Sequence, residues 1–218
     1  MYSDRSLADL FIHENLLNLL EKGRDVVKAF IEVVDEFVKE GDVSKVYNKF
    51  LAPKLNVEEA RLMFMEYIVR VGDVVNKEHY IKIALGIERL AQILEGALYR
   101  LLLVRKHNIS IEQDSKNILV EFRVIIEEQY STLWNCVRKL RENSKESLLG
   151  VNDIVKLENR ADELYREATV SIYSKYAHNI FALMLFRDII DFFEEAVDTL
   201  KNVGEEIRYL ALYRTMIA

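Results

Sequence analysis

Only one cysteine, one proline and seven glycines occur in the 218 residues of this chain. Cys136 alone can form no internal disulfide and cannot anchor a zinc framework, which fits a reducing compartment. The shortage of Gly and Pro withholds the turn residues that a sandwich, barrel or βαβ protein needs at the end of each strand. Long apolar runs are missing too: Ile180 to Phe186 is among the longest, about a third of the roughly 20 residues that span a bilayer. The opening residues, MYSDRSLADLFIHENLLNLL, lack the basic segment and unbroken apolar stretch of a secretory signal, so a cytoplasmic protein without a membrane span of its own is expected. A formal net charge of −6 argues against nucleic acid as a partner, because the phosphate backbone rewards clustered Lys and Arg. No Gly-rich phosphate loop, GxSxG elbow or GxGxxG is present, which removes the usual supports of nucleotide-binding and acyl-transfer enzymes.

What the chain does have is half hydrophobic and 30% charged residues, enough apolar surface to fold, and the pattern is helical. From Leu7 to Val38, Leu10, Leu17, Leu20, Val27, Ile31, Val34 and Val38 recur in steps of three, four or seven, the spacing of one helix face. A second helix is expected from about Ser44 to Val71, broken or kinked at Pro53, which lacks an N–H and clashes with the preceding turn. The third, about Lys77 to Lys106, carries Ile83, Ile87, Leu90, Leu94, Ala97, Leu101 and Val104 and ends in cationic residues, as helix C-termini favour. Ser110-Ile-Glu-Gln113 has the capping-box pattern and opens a fourth helix through Ile118, Phe122, Ile125, Thr132, Cys136 and Leu140,. Asn143 to Ser147 is read as its close. A fifth helix starts at about Asn152 and a sixth at about Asn179.

Six amphipathic helices with short connections make an all-α protein. Ile87 to Gln92 can be laid on Phe193 to Asp198, a shift of 106 residues from Glu88 to Glu194. The order of elements then reads as two tandem three-helix bundles, residues 1–108 and 109–218, although amphipathic helices resemble one another by construction. Net charge differs between these segments, −1 in the first and −5 in the second.

The acids of the second segment are arranged on helix edges. Glu158 and Asp162 lie four residues apart beside Leu157, Ala161 and Leu164; Glu194 and Asp198 repeat the arrangement beside Ile190, Phe193 and Val197. Like charges at this spacing repel, more strongly where solvent is excluded. A hard cation with oxygen ligands, held between the fifth and sixth helices, would offset the repulsion. With 36 acids in the chain, about six such pairs arise by chance, most of them on solvated faces; Glu21/Asp25 and Glu32/Glu36 are of that kind. Arg160, Arg166 and Arg187 could equally neutralise the four acids. The four histidines, His13, His79, His107 and His178, are scattered and none follows a Glu by three residues, so the Glu-x-x-His pairs of carboxylate-bridged di-iron bundles are missing. Each reads as a capping or surface residue.

Val155 to Arg166 (VKLENRADELYR), followed about thirty residues on by Arg187 to Asp198 (RDIIDFFEEAVD), resembles the second half of the PhoU-like phosphate transport regulators, in the shorter branch associated with inorganic phosphate permeases. The likeness is good from Val151 to Leu200 and poor before Asn108. It implies two three-helix bundles and a cytoplasmic, non-catalytic role in phosphate uptake, with a phosphate permease as partner. Flat bundle faces often pair, so a homodimer is the default assembly. The resemblance also implies a metal ion, whether iron, manganese or magnesium, held by Glu158, Asp162, Glu194 and Asp198. The first half departs from the pattern: Glu88 is followed at the fourth position by Gln92, and Glu58 and Glu59 by Leu62 and Met63. One metal site, in the second half, is therefore expected. A carboxylate-bridged metal store or oxidase, and a metal-free helical adaptor, are the alternatives.

Overall fold

The computed structural model describes residues 7–71 and 74–217. They form six helices: α1 (Leu7–Val38), α2 (Val43–Val71), α3 (Lys77–Lys106), α4 (Gln113–Lys139), α5 (Ser144–Tyr176) and α6 (Ile180–Ile217). Among the described residues, α1, α3, α6 and α4 pack in a ring of four, with the most extensive contact between α3 and α6; α2 touches only α1 and α3, and α5 only α4 and α6. The molecule is thus an inner four-helix ring with one outer helix on each side. Buried apolar side chains of all six helices join in one cluster, so the two three-helix units share a core.

The centre of that core is aromatic. Phe193 of α6 meets Phe30 of α1 edge-on at 5.4 Å between ring centroids and Phe122 of α4 at 5.8 Å. Beside them the Tyr130 hydroxyl donates to the Leu20 carbonyl at 2.6 Å, satisfying a phenol that would otherwise be buried unpaired. Gly23 makes this approach possible, since a Cβ there would stand 2.1 Å from the Tyr130 oxygen. Fully buried Gln129 donates to the carbonyls of both Ile154 and Val197, tying α4 to α5 and α6.

The expected helices are all present, with four local differences. Pro53 does not break α2; its ring removes one hydrogen bond, while buried Phe50 and Val57 pin the turns on either side. The Ser110 capping box does not form. Helix α4 begins three residues later, after an extended Glu112 with no side-chain cap, because half-buried Ile109 and Ile111 are packed against the core and the Glu112 N–H donates to the Tyr176 hydroxyl. Asn143 to Ser147 opens α5 instead of merely closing α4: the Asn143 side chain accepts from the Glu146 N–H at 3.2 Å, an N-cap, and Ser147 and Val151 are buried. In α1 the buried face runs through Ile12, Leu16, Leu19, Val26, Phe30, Val33 and Phe37, whereas Leu10, Leu17, Ile31 and Val38 are only half-buried. The helix packs against α2, α3 and α4 at once, so its apolar face is wider than one stripe.

One end of the ring is closed by charge. Arg214 of α6 donates to Asp9 of α1 at 2.6 Å and to the Tyr80 hydroxyl of α3 at 2.8 Å. His13, only 5% exposed and with Nδ1 unpaired, lies within reach of this group. Its own burial, then the Arg141 and Arg214 charges, lower its pKa from 6.5 to about 4. Between those values the unfolded chain binds a proton that the folded one refuses, so stability is lost as pH falls from 6.5 towards 4, by about 3 kcal/mol in all. Urea melts at pH 7.5 and 4.5 should show His13→Gln losing less stability across that interval than the parent protein.

Candidate functional site

The edge of α6 that faces α5 is set by its buried neighbours. With Phe193 and Val197 turned into the core, Glu194 and Asp198 fall half-buried on the seam with α5. On α5 the buried line Ile154, Ala161, Leu164 and Ala168 places Glu158 and Asp162 on the same seam. Glu158 is the most enclosed, at 8% exposure.

Their electrostatics confirm that the four acids share one field. Burial, then the charges of Asp198, Asp162, Asp191 and Glu195, raise the pKa of Glu194 above the ordinary carboxylate value. Asp198 is raised by burial and by Glu158 and Asp162, against the opposing charge of Lys201. Lys201 is the residue that sequence spacing did not bring forward: its Nζ lies 2.8 Å from Glu158 Oε1. It stands one turn beyond Asp198 on the same helix, a spacing visible in the sequence, but its reach across to α5 depends on the helix pairing.

The three arginines divide. Arg166 approaches Asp162 at 3.3 Å, Arg160 leaves the cluster for Glu121 of α4 at 2.9 Å, and Arg187 binds Asp191 and donates to Thr169 and the Tyr165 hydroxyl. As placed, the carboxylates do not fit a metal centre: among the described residues no three or more His, Cys, Asp or Glu side chains are gathered so as to hold an ion, and the most buried acid is already engaged by an ammonium. The thiol of Cys136 offers no alternative, since burial pushes its pKa up to about 12. A groove of about 370 Å³ between α3 and α6 is lined by Lys82, Arg89, Thr199 and Glu206, and its charges are also paired, Lys82 with Glu206 and Arg89 with Glu195.

The first unit has a counterpart to this seam. A shift of 104 residues carries buried Phe50, Val57, Phe64 and Ile68 of α2 onto Ile154, Ala161, Ala168 and Ile172 of α5; a shift of 106 carries Ile83, Ile87, Leu94 and Leu101 of α3 onto Ile189, Phe193, Leu200 and Ile207 of α6. In that register Glu88 matches Glu194 and Gln92 matches Asp198. Glu88, however, is bound by Arg61 of α2 at 2.7 Å.

The fold places this chain among known structures. It superimposes on PhoU of Pseudomonas aeruginosa with a TM-score of 0.78 and 11% identity, over 93% of this chain and 96% of the other. A PhoU-like protein of Shewanella oneidensis MR-1 gives 0.76 at 10% identity, and a putative PhoU-like phosphate regulatory protein of the same organism 0.66 at 12%; each comparison covers 93% of this chain and 99% of the other. The architecture is therefore the PhoU-like fold over nearly the whole described chain. No protein-family model and no curated protein matches the sequence.

Burial and then like charges act on Glu194, so its ionised form destabilises the native state above its raised pKa and the penalty is relieved as pH falls through that value. Glu194→Gln should raise the melting temperature by about 1 °C at pH 7, the scale of one relieved like-charge contact. Calorimetry at pH 4 should show the gain gone.

Proposed function

We propose that this protein is a non-catalytic accessory protein of inorganic phosphate transport, acting at the cytoplasmic face of the membrane through a phosphate permease. The observation that carries the reading is the full-length correspondence of fold with PhoU and with a putative PhoU-like phosphate regulatory protein. The described helices are consistent with a peripheral role, because none is long and apolar enough to cross a membrane. Purified protein should sediment with vesicles that contain the permease and stay in the supernatant with vesicles of the same lipid alone. Equal recovery from both would overturn the permease assignment.

The homodimer in this reading is supported by the outer face of α2. Leu55, Leu62 and Val69 recur every seven residues there, all more than half exposed, the seam of a helix that pairs with another helix. Leu62→Glu should convert a dimer to a monomer in sedimentation velocity without shifting the melting temperature by more than about 2 °C, since the side chain is external to the monomer core.

A divalent cation at Glu158, Asp162, Glu194 and Asp198 forms a second reading. The raised proton affinity of Glu194 and Asp198 favours it, as both seek positive charge. For such an ion to bind, Lys201 would have to leave Glu158. Metal stoichiometry of the purified chain tests this.

A further inference from the structure

We propose that Lys201 is the resident cation of the α5–α6 carboxylates, and that a cross-helix Lys–Glu clasp holds the outer helix in each unit where a metal would otherwise be required. The argument comes from comparing the two units. In the register set by their buried residues, Lys54 of α2 matches Glu158 of α5, and Glu95 of α3 matches Lys201 of α6. Lys54 Nζ lies 2.7 Å from Glu95 Oε2, and Lys201 Nζ lies 2.8 Å from Glu158 Oε1. Both units therefore carry one ion pair between outer and inner helix at the same level, with its polarity reversed.

That reversal separates the two roles a carboxylate can have at this position. A metal ion needs an oxygen donor on each wall, so replacing one donor by an ammonium removes a ligand and adds a repelling charge. An ion pair needs only opposite signs and works in either orientation. At this level the units share opposite charges across the seam; the acids they have in common, Glu58 with Asp162 and Glu88 with Glu194, lie beside it. Neither clasp is freely solvated: Glu158 has 10% of its side chain exposed and Lys54 19%, so screening is weaker than at an open surface and loss of one partner leaves a poorly hydrated charge. Of the remaining acids, Asp162 is paired with Arg166 and Asp198 lies in the field of Lys201, while Glu194 stays among like charges.

The test uses the full-length protein, freed of metal by chelation and dialysis, and compares it with Lys201→Glu and with the double variant Glu158→Lys/Lys201→Glu, which gives the second unit the polarity of the first. Lys201→Glu should melt at least about 4 °C lower, and the double variant should recover more than half of that loss. The parent protein should hold well below one metal per chain, with its melting temperature changing by less than about 1 °C on adding millimolar Mg²⁺, Mn²⁺ or, without oxygen, Fe²⁺. A double variant no more stable than Lys201→Glu would overturn the clasp. So would a parent protein that carries about one metal per chain and melts lower after chelation. If Lys201→Glu does not fold, a folded double variant supports the clasp on its own, and an unfolded one overturns it. Sedimentation with permease vesicles is a separate readout, so failure of the clasp leaves the transport role standing and the reverse holds equally.

Discussion

The contact on which the rest of the molecule depends is the insertion of Phe193 between Phe30 and Phe122. It joins α6 to α4 and, across the centre of the ring, to α1, while Phe192 and Val203 lie against Gly96 and Gly86 of α3. With the rotation of α6 about its axis so determined, the residues one and five positions after Phe193 have one place to go. Glu194 and Asp198 must lie at the margin of the buried face, where α5 covers them in part. Their raised proton affinity is thus a consequence of core packing: burial is the leading cause for both acids, with neighbouring acids adding to it and Lys201 opposing it at Asp198.

The same geometry makes the outer helices depend on charge more than the inner ones do. Helices α1, α3, α4 and α6 each have three neighbours among the described contacts, while α2 and α5 have two. An outer helix has one buried stripe, and its edges are where Lys54, Arg61, Glu158 and Tyr165 reach inward to Glu95, Glu88, Lys201 and Asp191. Ion pairs at a fully solvated surface contribute little, but those on a half-covered seam keep more of their Coulomb energy and also resist sliding of one helix along another. Arg187 extends this on the second unit, joining α6 to Asp191 on its own face and to Tyr165 and Thr169 on α5.

Much of this was legible in the residues. Helices α1 and α3 begin and end where periodicity and, for α3, a cationic last turn place them, and α6 begins where Asn179 places it, the Asn179 side chain accepting from the Ala182 N–H. The scarcity of glycine correctly pointed to helices, and its structural counterpart is that Glu40, Asn76 and Asn108 adopt positive φ in three of the connections, a conformation Asn takes more readily than most residues. What misled were local polar patterns whose outcome is decided by packing. Ser110 reads as a cap and Asn143 as part of a helix close, yet Asn143 is the one that caps, because Ile109 and Ile111 hold the chain extended after Ser110. The four acids were found from spacing, since i and i+4 lie on one face of any helix. Lys201 was not, because spacing along one helix is silent about which side chain of another helix it meets. A lysine long enough to cross that gap becomes informative only when the pairing of α5 with α6 is known.

The chemistry left available bears on how such a molecule can act. The Cys136 thiol is held far above neutral in its pKa, and His13 is buried, neutral and flanked by two guanidinium groups, so neither is poised for proton or group transfer near pH 7. The differences that remain are on the outside. Two units built on one plan expose unlike outer helices: α2 carries the apolar series Leu55, Leu62 and Val69, with its inward Lys54 and Arg61 bound to Glu95 and Glu88 of α3. Across the molecule, α5 and the adjoining edge of α6 carry more acid than their bases offset. Because the inner ring is common to both sides and α2 and α5 do not touch, a change at one outer face reaches the other only through the ring, by α3 and α6 on one route and by α1 and α4 on the other.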